Sequence, residues 1–483
     1  MSAKKKGTES PGKLKRSGTN GDDLQRALKW VLDEDMFVDL TLHGNVSWTA
    51  VALVRLAIFW VWSSETSLVA AAVEAAGTVT RLFGSAAVGS YQALTGALKK
   101  YTGQLLPLLW SRLHDLMAQC DAKTWRVGFW LALAVDGSRV GLPRTLANEQ
   151  QFCKPRSKGH QKRKKGKKRG RHANRKQFAG TSHQKSYYDP QSVGPQLWLT
   201  LLWHIGQRMP WCWEVGPSYS SEREHLLQML VKHKFPENTL FCGDAGFVGY
   251  DFWRAIHDQG HHFLIRVGGN VRLLKKLGCV RERNGIVYCW PDAVMKKKQP
   301  PLILRLLQFK TSRGDVYLVT NLLSEKDLTL AQASEIYRCR WGVELQFRAF
   351  KQTYQRTKLR SRTPECAEVE LHWSLVGLWI VQLLAFKEQT PAAEPRGQTS
   401  IASVLRIVRS IIKDESTVPP RGKSFQKQLA GAVTDNYERH SKKKSRNYPR
   451  RKEEPSAGRP KIRLATKVHK DKLREIQALA QVA

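Results

Sequence analysis

The chain has 483 residues, enough for several domains and a sizeable core. Its 80 Lys and Arg against 41 Asp and Glu leave a formal charge of +39, opposite in sign to a polyphosphate and far beyond what solubility requires. With 16 Trp and 41% hydrophobic residues the charge rides on a folded body, which excludes a wholly disordered polycation and puts nucleic acid ahead of an anionic membrane surface or an acidic protein as partner.

Residues 1–22 are polar and basic and read as an arm. They lack the apolar run of a secretory signal, so the expected location is the cytosol, with association to the nucleoid if the source is bacterial. From 23 to 123 apolar residues recur at helical spacing, as in "DDLQRALKWVLDED" and "YQALTGALKKYTGQLLPLLWSRLHDLMAQC", and predict an all-α amino-terminal domain. It shows no helix-turn-helix signature, so groove reading and simple packing both stay open. The most apolar piece, "AVALVRLAIFWVW", is broken by Arg55 and is too short to span a bilayer, so no membrane role is expected. Eight cysteines without any C-x-x-C argue against a disulfide scaffold and a zinc ribbon.

The pattern then changes to α/β. "GFWLALAVDGSRVGLP" reads as a buried strand with Asp136 at its carboxyl end, and "QLWLTLLWHI" as a second strand. "SEREHLLQMLVKH" is a helix, "TLFCGDAGF" a strand ending at Asp244, "GYDFWRAIHDQG" a helix and "HHFLIRVGGN" a strand. Such alternation builds an α/β sheet, here in two parts, 124–269 and 315–390, divided by a β-rich insertion at 270–314. Within the first part, a basic loop spans 154–187. Its segment 154–176 carries Lys or Arg at 13 of 23 positions, suited to neutralising phosphates or simply to solvation. "DVYLVTNLL" resumes the sheet, and Thr329 with Gln332 forms a capping box that opens one long helix. A more apolar helix follows, and 391–483 is a mixed, then basic, carboxyl-terminal region.

On the long helix, "YRCRWGVELQFRAFK" places Tyr337, Arg340, Glu344 and Lys351 within roughly 60° of one another at about 100° per residue. One carboxylate therefore shares a stripe with a phenol and two cations. The carboxyl ends of neighbouring parallel strands converge on one edge of an open sheet, where Asp136 and Asp244 are expected and where the helix could add Glu344. Three clustered carboxylates repel unless a cation sits among them, and Mg²⁺ suits hard oxygen ligands completed by water and phosphate. Two such ions about 3.5–4 Å apart serve in-line phosphoryl transfer. Taken singly, each Asp is an ordinary turn-former and Glu344 an ordinary solvated face; the combination is what points to chemistry.

These residues resemble the Tyr-Arg-Glu-Lys signature of transposases of the insertion-sequence-four family, with "AVDGS" similar to the first-Asp motif and "GDAGF" to the second. The resemblance runs from about Gly128 to Lys387. It implies an RNase H-like catalytic core with a β-strand insertion between the second Asp and the Glu, and cut-and-paste movement of a DNA segment. Carried over, it makes Asp136, Asp244 and Glu344 the ligands of two Mg²⁺ ions, replaceable by Mn²⁺, and Tyr337, Arg340 and Lys351 contacts to DNA at the cleaved end. The implied partners are terminal inverted repeats and target DNA, held by a homodimer. The family route frees a 3′ end with water and then passes through a hairpin. Tyr317 and Trp290 are candidates to support an extruded base beside that hairpin, against the plainer reading of each as a strand or core residue. The amino-terminal domain and the long basic loop have no counterpart in the signature. Two other functions share the fold: a transposase-derived DNA-binding protein without catalysis, and a structure-specific nuclease.

Overall fold

The computed structural model describes residues 19–40, 42, 48–84, 90–154, 194–282, 285–311, 314–390, 398–414, 424–434 and 458–482. The basic loop at 155–187, most of the amino-terminal arm and the basic stretch 435–457 lie outside them.

The chain begins with α1 (Asn20–Val31), opened by a capping box between Thr19 and Asp22, and a short 3₁₀ turn. Then come α2 (Ala50–Trp62), α3 (Leu68–Phe83), α4 (Tyr91–Cys120) and the short α5 (Ala122–Trp125). Every residue of α2 is buried, as its all-round apolar sequence requires. Its one charge, Arg55, lies over the Phe83 ring and pairs with Glu34 at 3.3 Å.

Next follow β1 (Leu131–Gly141), α6 (Leu146–Phe152), β2 (Gln196–His204), β3 (Met209–Pro217) and α7 (Glu222–Lys232). β4 (Thr239–Gly243), α8 (Tyr250–Asp258), β5 (His262–Val267), β6 (Arg272–Lys275) and β7 (Ile286–Cys289) come after them. The sheet is completed by α9 (Asp292–Lys296), β8 (Leu302–Thr311) and β9 (Gly314–Thr320). The last part holds α10 (Leu330–Cys339), α11 (Gly342–Arg348), a π-turn (Ala349–Thr353) and α12 (Pro364–Gln389). It ends with α13 (Ile401–Ile412), α14 (Phe425–Ala430), β10 (Lys461–Leu464) and α15 (Lys467–Val482).

The strands form one ten-stranded sheet in the order β10-β6-β7-β8-β9-β5-β4-β1-β2-β3. At its centre β1, β4 and β5 are parallel, while β2, β3, β7, β8 and β9 pair antiparallel. The β-rich segment expected at 270–314 is thus continuous with the main sheet. β9 pairs with β5 along one edge and with β8 along the other, so β6 to β8 extend the same ladder. Out of the carboxyl-terminal region, β10 adds in parallel to the far edge at β6.

Alternation along the strands divides the core in two. Ala132, Ala134, Leu240 and Cys242 face the helical layer of α2, α4, α12 and α13; Leu131, Leu133, Val135 and Phe241 face α7 and α8. The amino-terminal helices share the first core with the sheet. α12 is the centre of that layer: it is long and apolar enough to cross a membrane, but 89% of its apolar window is buried inside the protein.

The single long helix expected after Thr329 is broken. α10 stops at Cys339, and the turn through Arg340 and Trp341 tightens, with Val343 bonding Arg340 and Glu344 bonding Trp341 through i+3 contacts. The break coincides with a close approach: α11 lies so near β2 that a Cβ on Gly342 would sit 2.0 Å from the Trp203 ring, leaving room there only for glycine.

Candidate active site at the carboxyl edge of the sheet

The geometry of the site follows from register. β1 and β4 run parallel with Leu131 opposite Thr239 and Ala134 opposite Cys242, after which they part. Two residues further on each strand stand Asp136 and Asp244. Asp136 is not at the end of its strand, as the sequence suggested, because β1 continues to Gly141 on its other partner, β2. It stands where β1 loses β4, and by alternation it points to the same side as Ala134, towards α11. Asp244 follows β4 directly, and its Oδ1 accepts from the Gly246 N–H at 2.8 Å. Glu344 comes from α11, the helix that packs on β1. The three sequence-predicted carboxylates therefore line one sheet edge, near enough to feel one another's charge.

Arg340 is turned inward among them. It is 8% exposed, its guanidinium lies 3.6 Å from Glu344 and 5.6 Å from the Tyr337 ring centroid, and its Nε has no hydrogen-bond partner. Burial opposes its charge, yet Tyr337, Cys242, Asp136 and Asp244 together hold its proton more tightly than usual. Tyr337 is half-buried, and burial raises its phenol. Lys351, on the π-turn, donates to Ser138 Oγ at 2.7 Å, and burial lowers its ammonium. The stripe survives the helix break because the tight turn and the π-turn both keep these side chains over β1.

Burial first, and repulsion from neighbouring acids second, raises Asp136 and Glu344 at this edge. Burial pushes Asp136 up to about 6, with repulsion from Asp244 adding and Arg340 and the Gly137 N–H relieving. Burial also raises Glu344, again relieved by Arg340. A fourth acid, Glu222 at the start of α7, shares the edge; burial first, then Asp136 and Asp244, push it up to about 7. Nothing in the sequence marks Glu222, since a Glu in the first turn of a helix is ordinary.

Tyr317 stands opposite Val267 at the carboxyl end of β5, but its side chain and that of Trp290 are buried in the core beneath α7 and α8. Tyr317 is 7% exposed within β9, and Trp290 is 4% exposed with its indole N–H on Gln299 O. Both are core residues, as aromatic strand residues usually are.

Do these residues fit divalent ions? Among the described residues no three of the acids stand close enough to make a ready cage. The donors are nonetheless all hard oxygens, they repel in the absence of a cation, and Mg²⁺ asks for only one or two protein carboxylates beside water and phosphate. An open, acid-lined edge with a buried cation already drawn into it fits that chemistry.

Comparison with known proteins agrees with the geometry. Residues 131–380, more than half of the chain, match the family described as "Transposase DDE domain", and all three carboxylates lie inside the match. A curated relative, the transposase InsG for insertion sequence element IS4 of Escherichia coli (strain K12), is 26% identical over 227 residues, 44% of this chain. The match spans only 50% of that relative's length. Among solved structures, a piggyBac transposase synaptic complex with hairpin DNA aligns over 88% of this chain and 86% of its own, at 9% identity and a TM-score of 0.37, too weak a likeness to build on. The chain belongs to the DDE-domain transposases.

Proposed function

We propose that the protein is a DNA transposase that cuts at the ends of its own element and joins them to target DNA, using an RNase H-like core in which Asp136, Asp244 and Glu344 form the catalytic edge. The observation that carries the reading is the convergence of the three acids from β1, β4 and α11 where two parallel strands part.

Asp136, Asp244 and Glu344 would hold two Mg²⁺ ions, which when bound activate the attacking oxygen and stabilise the leaving one. The chain's own residues do the rest. Arg340, already charged and desolvated at the edge, is placed to fork onto a phosphate and balance charge there. Tyr337 carries a phenol beside it for a hydrogen bond or a stack with a terminal nucleotide. Lys351 holds a flexible ammonium on the other side of Ser138. The formal charge of +39 draws double-stranded DNA to the protein, and paired element ends call for a homodimer in the complex.

The test is cleavage of a linear duplex carrying the DNA that flanks the gene, with Mg²⁺, on a denaturing gel. Cuts at the element boundary in the wild type and none in Glu344→Gln are expected. Binding without cutting in both proteins, with Mn²⁺ as with Mg²⁺, would replace the proposal by a DNA-binding descendant; cutting without joining to a target would make it a nuclease.

A further inference from the structure

Glu222 is the acid at this edge that nothing neutralises. It is the first residue of α7, a helix packed on the face of the sheet opposite α11. Its side chain comes through where β1 has parted from β4. A Cβ on Gly137 would lie 2.3 Å from its Oε1 and 2.6 Å from its Cγ and Cδ, so the glycine after Asp136 leaves the space that the Glu222 side chain occupies. Its Oε2 lies 3.9 Å from the position a Cβ of Gly246 would take, and Asp244 Oδ1 lies 3.0 Å from the same point. Glu222 therefore spans from the neighbour of Asp136 to the loop of Asp244.

A first-turn acid serves the helix dipole, and that would explain its type. It does not explain the rest. Glu224, in the same turn, is exposed, whereas Glu222 is half-buried, has no hydrogen bond or ion pair among the described residues, and faces two further negative charges. Arg340 shows how negative this edge is: nine-tenths buried, its guanidinium is nonetheless drawn to Asp136, Asp244 and Glu344. The Arg340 guanidinium pairs with Glu344 at 3.6 Å, and among the described residues no ion pair reaches Glu222.

We infer that Glu222 is a fourth oxygen donor of the divalent-cation site, approaching it from the α7 face between Asp136 and Asp244. The inference rests on the reading of those two residues as ligands. It makes the site a cleft acid-lined from both faces of the sheet, with α11 supplying Glu344 and α7 supplying Glu222.

Mn²⁺ binding to the full chain, measured by calorimetry with and without duplex DNA, separates this inference from the reading beneath it. Asp136→Asn should lose Mn²⁺ binding, Glu222→Gln should weaken it by about tenfold or more, and Glu224→Gln should leave it unchanged. Glu222→Gln binding Mn²⁺ like the wild type, with Asp136→Asn defective, would overturn the role of Glu222 and leave the metal site standing. A wild type that takes up no Mn²⁺ in either condition would overturn both. Because a variant can misfold, Fe²⁺ loaded into the wild type offers a second measurement: radical cleavage of the backbone should cut near 222 as well as near 136 and 244. Cuts near 136 and 244 with none near 222 would also sink the inference.

Discussion

Two Arg–Glu pairs in this protein are built for different ends. Arg356 and Glu370 lie inside the helical layer, their side chains 6% and 0% exposed and 3.7 Å apart. Every acceptor there is used: Glu370 takes the Arg360 and Ser361 N–H groups and the Ser361 hydroxyl, while Arg356 donates to Ser374 Oγ and Tyr354 O. Arg340 and Glu344, one helical turn apart at the sheet edge, are 10% and 35% exposed. Their surroundings leave Arg340 Nε unpartnered and press two further acids, Asp136 and Asp244, on it. The first pair is saturated with partners, whereas the second keeps unused capacity and unbalanced neighbours at an open edge.

The sharpest break between the pairs is to remove the acid from each. If Glu344 is the metal ligand proposed above, Glu344→Gln should lower DNA cleavage by about a thousandfold or more with little change in unfolding temperature, because the fold loses only one loose ion pair. Glu370→Ala should instead destabilise the fold by about 3–5 kcal/mol, since it strands a buried guanidinium and three donors. Urea unfolding and a gel assay on both variants decide it. Equal destabilisation by the two would erase the contrast, and full cleavage by Glu344→Gln would end the catalytic reading.

The same contrast explains what the sequence could show. Asp136 and Asp244 were legible because each comes after a run of apolar strand residues and has a glycine one or two positions on, a pattern that needs no knowledge of neighbours. Strand β3, "MPWCWEVGP", was not, because its two prolines argue against a strand and only its place at the sheet edge, paired through β2, accommodates them. β10 was hidden for a similar reason: "KIRL" in a basic tail has no strand signal of its own until β6 offers an edge. The break at Arg340 and Trp341 coincides with the close approach of Gly342 to Trp203, residues far apart in the chain. Glu222 depends on a contact of the same kind, with Gly137. Local periodicity found the strands that carry the acids; only the packing showed which way Arg340 turned.

A subtler test uses pH. Asp136 titrates at about 6 in the folded protein against an ordinary 3.8, so folding favours its protonated form. That contribution to stability is fully present below about 3.8 and is lost as pH rises through about 6. Asp136→Asn should therefore gain on the wild type between pH 4 and pH 7, by about 1–2 kcal/mol, when no divalent ion is present. Added Mn²⁺ should close the gap by stabilising only the wild type. Thermal unfolding across that range checks it; a difference that does not grow with pH would mean that Asp136 is as well satisfied as Glu370.

The smallest effect expected is at Lys351, and it tests whether the stripe faces DNA. Its ammonium touches a neutral hydroxyl, Ser138 Oγ, and has no ion pair among the described residues, so its charge is not committed to the fold. Burial already weakens its hold on the proton, and a phosphate in contact would restore it. If it meets one phosphate, Lys351→Ala should reduce the slope of log affinity against log salt by about 0.9, with stability unchanged. Ser138→Ala removes the hydroxyl but keeps the charge, so its slope should equal that of the wild type. An unchanged slope in Lys351→Ala would place the ammonium with the structural charges, tethering the π-turn to β1, and would confine DNA contact on this stripe to Arg340 and Tyr337.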